Sequence, residues 1–556
     1  MKGFERLRRA VPLVAVVAVA AALRLYGLGD ESLWTDELVT VEFVVEMTPL
    51  ELLVQLPQVQ PHLPLYYLLL EGWIGLVGGS PISMRLLSAV LGIAAVVVMY
   101  LVGRRLVDHQ VGLVAAALLA VSRFHIYYAQ EVRMYSLLTV LTLVSFYWLI
   151  RLRESPTRRH IAAYLISAAL VVATHFFGVF VIFAQITYLV VRLEAIAGDR
   201  LLQLRTQRLK QVYGVGLLVS PVVILAAVAA IGGAPRYHYI PYPTLYGVIA
   251  TVTDYVGYPR GTNVLIIAGV FAVFAGTALL AVVRFGDACH LSIARLRGAL
   301  GSARIDLDAT DRDALTLVFL WFVVPFGGLI ILSYLVTPLF WPRYTIAASL
   351  GFFLLVAFGV RNVPNRHLRT ALAIVLVIGL VPSVALYHTN TDKEQWRAVG
   401  NTIDERAESG DFVLVMDQMT DYGVEYYVDR EDVTIASVVA ENSGTGYAPT
   451  PTAEIANVTD GHGRTWLVFS HASESERQRV LNVVNDTRTQ VWHQQFVKVE
   501  VYLFVPDESA ASNAETASLS STHQYDAGTV YPLPGVGSTT WYPSHSSAVT
   551  HSAKPV

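Results

Sequence analysis

Cysteine is all but missing from this 556-residue chain, where Cys289 stands alone. That excludes an internal disulfide and any metal site built from cysteine thiolates. Charge is scarce as well: Asp, Glu, Lys and Arg make up 15% of the residues, against about 25% in soluble domains. Lysine is confined to Lys2, Lys210, Lys393, Lys498 and Lys554. With a mean hydropathy of +0.50, the composition excludes an ordinary soluble protein, whose surface needs far more charge to meet water. The net charge of -3 averages basic membrane edges over an acidic terminal region and implies no nucleic-acid partner. No HExxH or two-histidine-carboxylate spacing occurs, so the sequence calls for neither a metal nor another cofactor.

What the chain has in abundance is long apolar runs. Stretches of about the length of a bilayer-crossing helix begin near positions 10, 82, 111, 132, 160, 177, 212, 263, 314, 343 and 368, which predicts a polytopic α-helical membrane protein of about eleven spans. Arg6, Arg8 and Arg9 precede the first run as they would in a signal peptide, but the spans that follow favour a retained helix. Every second loop is basic: Lys2 to Arg9, Arg104 and Arg105, Arg151 to Arg159, Arg192 to Lys210, Arg284 to Arg312, and Arg361 to Arg369. The positive-inside bias places these in the cytoplasm. The N-terminus is then cytoplasmic, and everything after Tyr387 lies outside.

The sequence therefore divides into a membrane domain over 1–388 with a long outer loop at 29–82, an extracytoplasmic domain over 389–505, and a tail over 506–556. The second part alternates a helical run from Glu394 with strand-like runs at DFVLVM from Asp411, TWLVFS from Thr465 and FVKVEVYLFV from Phe496, predicting a small α/β domain. Two acceptor sequons fall in it, at Asn457 and Asn485. The tail is rich in Ser, Thr, Ala, Pro and Gly without apolar periodicity and reads as disordered.

Three groups of residues bear chemistry. Asp36 and Glu37 sit in the acidic start of the long outer loop, GDESLWTDELVTVEF. They read either as catalytic acids or as the N-terminal charges of a short interfacial helix with Thr35 as its cap. The aromatic-rich segments from Leu50 and Pro64 read as helices lying in the interface, holding the acids near the headgroup plane. The second group is the arginines on the cation-poor side: Arg85, Arg123, Arg133, Arg236, Arg260 and Arg343. Each singly can snorkel to lipid phosphate; together they suit an anionic ligand, because guanidinium is always charged and forks onto phosphate oxygens. The third is RFHIYYAQEVRMYSLL from Arg123, which places Gln130, Glu131 and Arg133 at membrane depth, where polar groups line a cavity or pair structurally. His175, beside Phe176 and Phe177, reads as an interfacial histidine rather than a ligand.

Four segments resemble the C-type glycosyltransferases, in particular the protein-mannosyltransferase and aminoarabinose-transferase relatives called family 39. They are WTDEL from Trp34, PHLPLYYLLLEGWIGLVGGSPISMRLLSAVLG from Pro61, YYAQEVRMYSLL from Tyr127 and WPRYTIAASL from Trp341; DKEQWRAVG from Asp392 fits the same group loosely. The resemblance implies a polyprenyl-phosphate-sugar donor, a glycan, protein or lipid acceptor, and a metal-independent inverting displacement within a bilayer. Asp36 is then the general base with Glu37 beside it, and Arg85, Arg133 and Arg343 neutralise the departing phosphate. His62, Tyr66, Gln130, Glu131 and Tyr344 are candidates for substrate binding. Leu63 replaces the first proline of the family's His-Pro-Pro run, and DYG at Asp421 lacks the paired tryptophans of the oligosaccharyltransferase signature, which argues against whole-glycan transfer. A transporter or flippase for a lipid-linked or anionic substrate is the competing class, but the halves show no internal repeat and no matched pairs of broken helices. A glycan-binding scaffold is the third, for which about eleven spans exceed what an anchor needs.

Overall fold

The structure of the protein is a computed structural model, and it describes residues 2–56, 63–196, 240–259, 262–282, 309–391, 393–416, 421–438 and 452–507. His62, Arg236, Arg260, the expected span near 212 and the tail from 508 onward lie outside the described residues. The first helices are α1 (Lys2–Leu25), α2 (Thr35–Glu46), α3 (Pro49–Val54), α4 (Leu65–Val77), α5 (Pro81–Leu106), α6 (His109–Val121) and α7 (Arg123–Ala129). Then come α8 (Tyr135–Glu154), α9 (Arg158–Thr174), α10 (Gly178–Ile196), α11 (Leu245–Tyr255), α12 (Val264–Leu279), α13 (Ala309–Leu335), α14 (Ile346–Arg361), α15 (Arg366–Ile378) and α16 (Val381–Thr389). The chain divides into two compact units. One takes in Met1–Leu28, Pro49–Val77 and Ile82–Thr389; the other takes in Gly29–Thr48, Gly78–Pro81 and Asn390–Val556.

The first unit is helical. Five of its helices are, among the described residues, long and apolar enough to cross a membrane, and the bent pair α6 and α7 makes a sixth. Helices stand at every described position where the sequence predicts a span, yet several fall short: the apolar parts of α1, α10 and α12 run to 17 residues or fewer. At 13 residues, α4 reaches about 20 Å, too short for a hydrocarbon core of about 30 Å. That agrees with its reading as a non-spanning segment.

The helix ends carrying the basic loops come together. Arg105 pairs with Glu154, Arg153 with Asp313, and Arg361 with both Asp108 and Asp311. Asp108 also caps α6, accepting from the backbone of Gln110 and Val111 at 2.9 and 3.0 Å. One carboxylate thus satisfies two orphan amides and an arginine. These residues come from the loops that the charge alternation puts on one side.

Between α6 and α7 the axis bends by 63°. Ser122 makes the break: its hydroxyl accepts from His125 N and donates to Tyr255 O at 2.6 Å. The break strands the last carbonyls of α6, and Arg24 of α1 collects two of them, Leu119 O at 3.0 Å and Ala120 O at 2.9 Å. Burying a guanidinium is costly unless its donors are used; here it also meets the negative end of a helix. Gly92 leaves it room, since a Cβ there would lie 3.1 Å from Arg24 Nε and 2.8 Å from Ala129 Cβ.

The second unit is an α/β sandwich joined by α2. Its remaining elements are α17 (Trp396–Arg406), β1 (Phe412–Val415), α18 (Asp421–Tyr427), β2 (Thr434–Ser437), α19 (Thr452–Thr459), β3 (Thr465–Ser470), α20 (Glu474–Asn485), β4 (Arg488–Phe496) and β5 (Val499–Pro506). The sheet order is β2-β1-β3-β5-β4. The pairs β2·β1 and β1·β3 are parallel, while β3·β5 and β5·β4 are antiparallel. Every residue of β1 and β3 is buried, as befits central strands covered on both faces. Phe412, Leu414, Leu467, Phe469, Val480 and Phe504 belong to one core. The run FVKVEVYLFV, expected as one strand, is instead the end of β4, a turn and β5. Lys498 takes φ 60° there, so the chain reverses rather than continues.

α17 buries Trp396, Val399, Gly400 and Ile403, a helical stripe, and α18 lies close against it. A Cβ on Gly423 of α18 would come within 2.3 Å of the Trp396 ring. Gly423→Ala is therefore expected to destabilise this unit by about 1–3 kcal/mol through overpacking. The fluorescence melting curve of the full-length protein in detergent reads the loss, and an unchanged midpoint would contradict the close approach.

Candidate active site

The candidate residues fall in both units. Asp36 and Glu37 belong to the second; Arg85, Arg133, Arg343, Tyr66, Gln130, Glu131 and Tyr344 belong to the first.

In the first unit the turn between α7 and α8 is buried throughout: Gln130, Glu131 and Arg133 are 5%, 0% and 3% exposed. Gln130 acts as a brace. Its amide donates to Arg24 O and Tyr26 O at 3.1 and 2.8 Å, and its oxygen accepts from the Tyr387 hydroxyl at 2.7 Å. Glu131 lies beside Tyr127 and Tyr128. Tyr66 of α4 shares a hydrogen bond of 3.0 Å with Ser88 of α5, and Ser88 also reaches Arg133 O at 3.4 Å. Arg85 sends one amine to Leu28 O at 3.1 Å.

Arg343 lies in the 3-10 turn Pro342–Thr345 that precedes α14, its guanidinium 5.4 Å from the Tyr344 ring centre. Tyr344 in turn packs at 5.8 Å from His175 and 4.9 Å from Phe177, and His175 is 6.1 Å from Tyr135. Arg133 and Arg343 both act electrostatically on His175. The fold thus packs Tyr344 and Arg343 beside His175 and brings Arg133 within electrostatic reach of it. His175 Nδ1 accepts from the Phe177 amide at 3.1 Å, which leaves Nε2 to carry the proton of the neutral ring. Aromatic neighbours alone gave no sign of this; the two arginines come from segments far away in the sequence.

In the second unit, α2 starts at Thr35 with Trp34 as its N-cap residue. Thr35 is therefore the first helical residue and not the cap. Its backbone N–H and its hydroxyl both donate to Glu394 Oε2, at 2.7 and 3.0 Å, so a carboxylate from far along the chain does the capping. Asp36 is half-buried. Glu37 is fully buried and paired with Lys393 at 3.1 Å; it also accepts from Trp34 N at 3.3 Å. Removing one partner of such a buried pair costs about 3–5 kcal/mol. Burial works against a charged Glu394, but hydrogen bonds from His471 and Thr35 outweigh it and hold the carboxyl below the usual value.

One turn further along α2, burial first and then the carboxylates of Glu46, Glu425 and Asp421 push Glu42 up to about 7. A carboxyl whose pKa is higher folded than unfolded binds its proton more tightly in the native state, so stability falls as pH rises from about 4.3 through 7. Glu42→Gln is expected to raise the melting temperature at pH 8 by about 2–4 °C and by clearly less at pH 5, where only the first part of the loss has occurred. Equal gains at both pH values would contradict the assignment.

Residues 60–231 match the family described as Dolichyl-phosphate-mannose-protein mannosyltransferase. Among curated proteins none matches the chain in sequence. Among solved structures it is similar to ArnT from Cupriavidus metallidurans in the apo state, at 13% identity and a TM-score of 0.51, covering 88% of this chain and 97% of that one. ArnT from the same organism bound to undecaprenyl phosphate gives 12% identity and a TM-score of 0.51, covering 89% and 98%. The archaeal oligosaccharyltransferase AglB from Archaeoglobus fulgidus, in complex with an inhibitory peptide and a dolichol-phosphate, gives 11% and 0.52, covering 92% and 77%. The family match covers residues 60–231, under a third of the chain, and the fold is shared with these solved glycosyltransferase structures over most of its length.

Proposed function

We propose that this membrane glycosyltransferase transfers a hexose, mannose in our reading, from a dolichyl- or polyprenyl-phosphate sugar to a glycan, protein or lipid acceptor on the outer face of the membrane. The observation that carries it is the pair Arg133 and Arg343 gathered around His175 and Tyr344. Two fixed guanidinium groups stabilise a leaving phosphate without needing a divalent ion. The name of the matched family and the lipid phosphates bound by ArnT and AglB support a carrier of this kind.

In this reaction an acceptor hydroxyl attacks the anomeric carbon and gives its proton to the Asp36 carboxylate. The bond from that carbon to the phosphate oxygen breaks on the opposite face. Its electron pair leaves with the lipid phosphate, and the sugar configuration inverts. Glu37, committed to Lys393, holds Asp36 in place rather than sharing its role. Gln130, with both ends of its amide engaged, supports the turn that carries Arg133.

Mass analysis of surface glycans in a deletion strain tests the reading in the cell. Loss of one terminal hexose is expected; unchanged glycans would favour transport.

A further inference from the structure

The start of α2 is tethered at nearly every residue. Within the second unit, Arg397 donates to Gly29 O at 3.2 Å, and Glu31 accepts from Lys393 N at 3.2 Å. Ser32 donates to Glu394 O at 2.6 Å, and Leu33 N donates to the Tyr427 hydroxyl at 2.8 Å. Thr35 is held by the Glu394 side chain and Glu37 by Lys393. The residues on both sides of Asp36 are thus fixed by two consecutive side chains from more than 350 residues further along the chain.

Behind them, Trp396 Nε1 donates to Glu394 Oε2 at 3.1 Å, and His471 Nε2 lies 2.8 Å from Glu394 Oε1. His471 adopts φ 57°, a left-handed backbone that a residue with a side chain takes up at some expense. Its ring meets Glu394 from that conformation. Lys393 and Glu394 are both 1% exposed, and Lys393 is one of the few lysines in the chain. Neither touches the reacting atoms in the mechanism above.

We propose that Lys393 and Glu394, backed by His471, are positioning residues that set the orientation of Asp36, so that the C-terminal domain tunes catalysis through the first residues of α2. The proposal rests on the reading of Asp36 as the base. Its signature is a loss in kcat with donor binding kept, because misplacing a catalytic group by about 1 Å costs on the order of 10²-fold while leaving the rest of the site alone.

The test uses the full-length protein in detergent with a defined polyprenyl-phosphate sugar. Lys393→Met is expected to lower kcat about 10²-fold with the donor KM within about threefold. Amide exchange over residues 33–40 should speed up, by about tenfold or more. In the double variant Lys393→Met with Glu37→Gln no buried charge is left alone, so stability is expected to recover while kcat stays low, which separates lost positioning from an unpaired charge. His471→Ala, a half-exposed change that leaves the core intact, should lower kcat by about three- to tenfold.

Wild-type kcat in Lys393→Met, kcat restored in the double variant, or unaltered exchange over 33–40 would each overturn the proposal. A wild type that transfers nothing from any lipid-phosphate sugar sinks the glycosyltransferase reading instead. The exchange measurement then still decides whether these side chains hold α2.

Discussion

Asp36→Asn is expected to lower kcat by about 10²–10⁴-fold, the range for losing a positioned general base, with the donor KM nearly unchanged. A sugar hydroxyl is a weak nucleophile until its proton has somewhere to go, and the amide offers no acceptor of comparable basicity. The change is nearly isosteric at a half-buried position of α2, so the fold should survive it; an unchanged melting curve checks that. Glu37→Gln behaves differently under this account. It leaves the Lys393 ammonium buried without its carboxylate, so its first effect is on stability and helix placement. Purified variants assayed side by side separate the two roles. Comparable kcat losses with intact stability in both would mean that the acids act together.

The second large effect concerns the phosphate. Replacing Arg133 or Arg343 by Gln is expected to lower kcat by about 10²–10³-fold, the typical cost of losing one preorganised group at a developing charge. Replacing both should cost less than the product of the single losses, because both act on the same oxygen atoms and couple. Arg85→Gln tests the third candidate, whose guanidinium also donates to Leu28 O. Competition by free polyprenyl phosphate supplies the independent readout: its inhibition constant should weaken in the Arg133 and Arg343 variants. Weakening confined to Arg85 would contradict the assignment.

Most of the architecture is legible in the sequence because a bilayer demands long apolar runs, and those runs mark the helices at both ends of the membrane unit. The basic loops are legible for the same reason, and the ion pairs of Arg105, Arg153 and Arg361 join their ends. The break at Ser122 is not legible, since it depends on a hydroxyl meeting Tyr255 O, more than a hundred residues on. Arg24 looks like one more basic residue near a helix end, yet it satisfies carbonyls that only that break exposes.

The candidate site divides along similar lines. Asp36, Arg133 and Arg343, the proposed base and phosphate-binding pair, stand in the sequence as charges in places where charge is expensive or out of pattern. The surroundings of His175 are not legible there, because Arg133 and Arg343 come within electrostatic reach of it only in the fold. Thr35 reads as a cap from its neighbours alone, but its partner is Glu394, and local capping rules see only near neighbours. A lysine in a chain that nearly avoids lysine was the one available hint of the clamp at Lys393.

Release of free polyprenyl phosphate tests the central claim most directly, measured with purified wild-type protein, a surface-glycan acceptor, a chelator and a panel of polyprenyl-phosphate sugars. The account predicts stoichiometric release of lipid phosphate with the sugar found on the acceptor in inverted configuration, and nothing comparable from Asp36→Asn. No release from any donor on the panel, or equal release by the Asp36 variant, would contradict it.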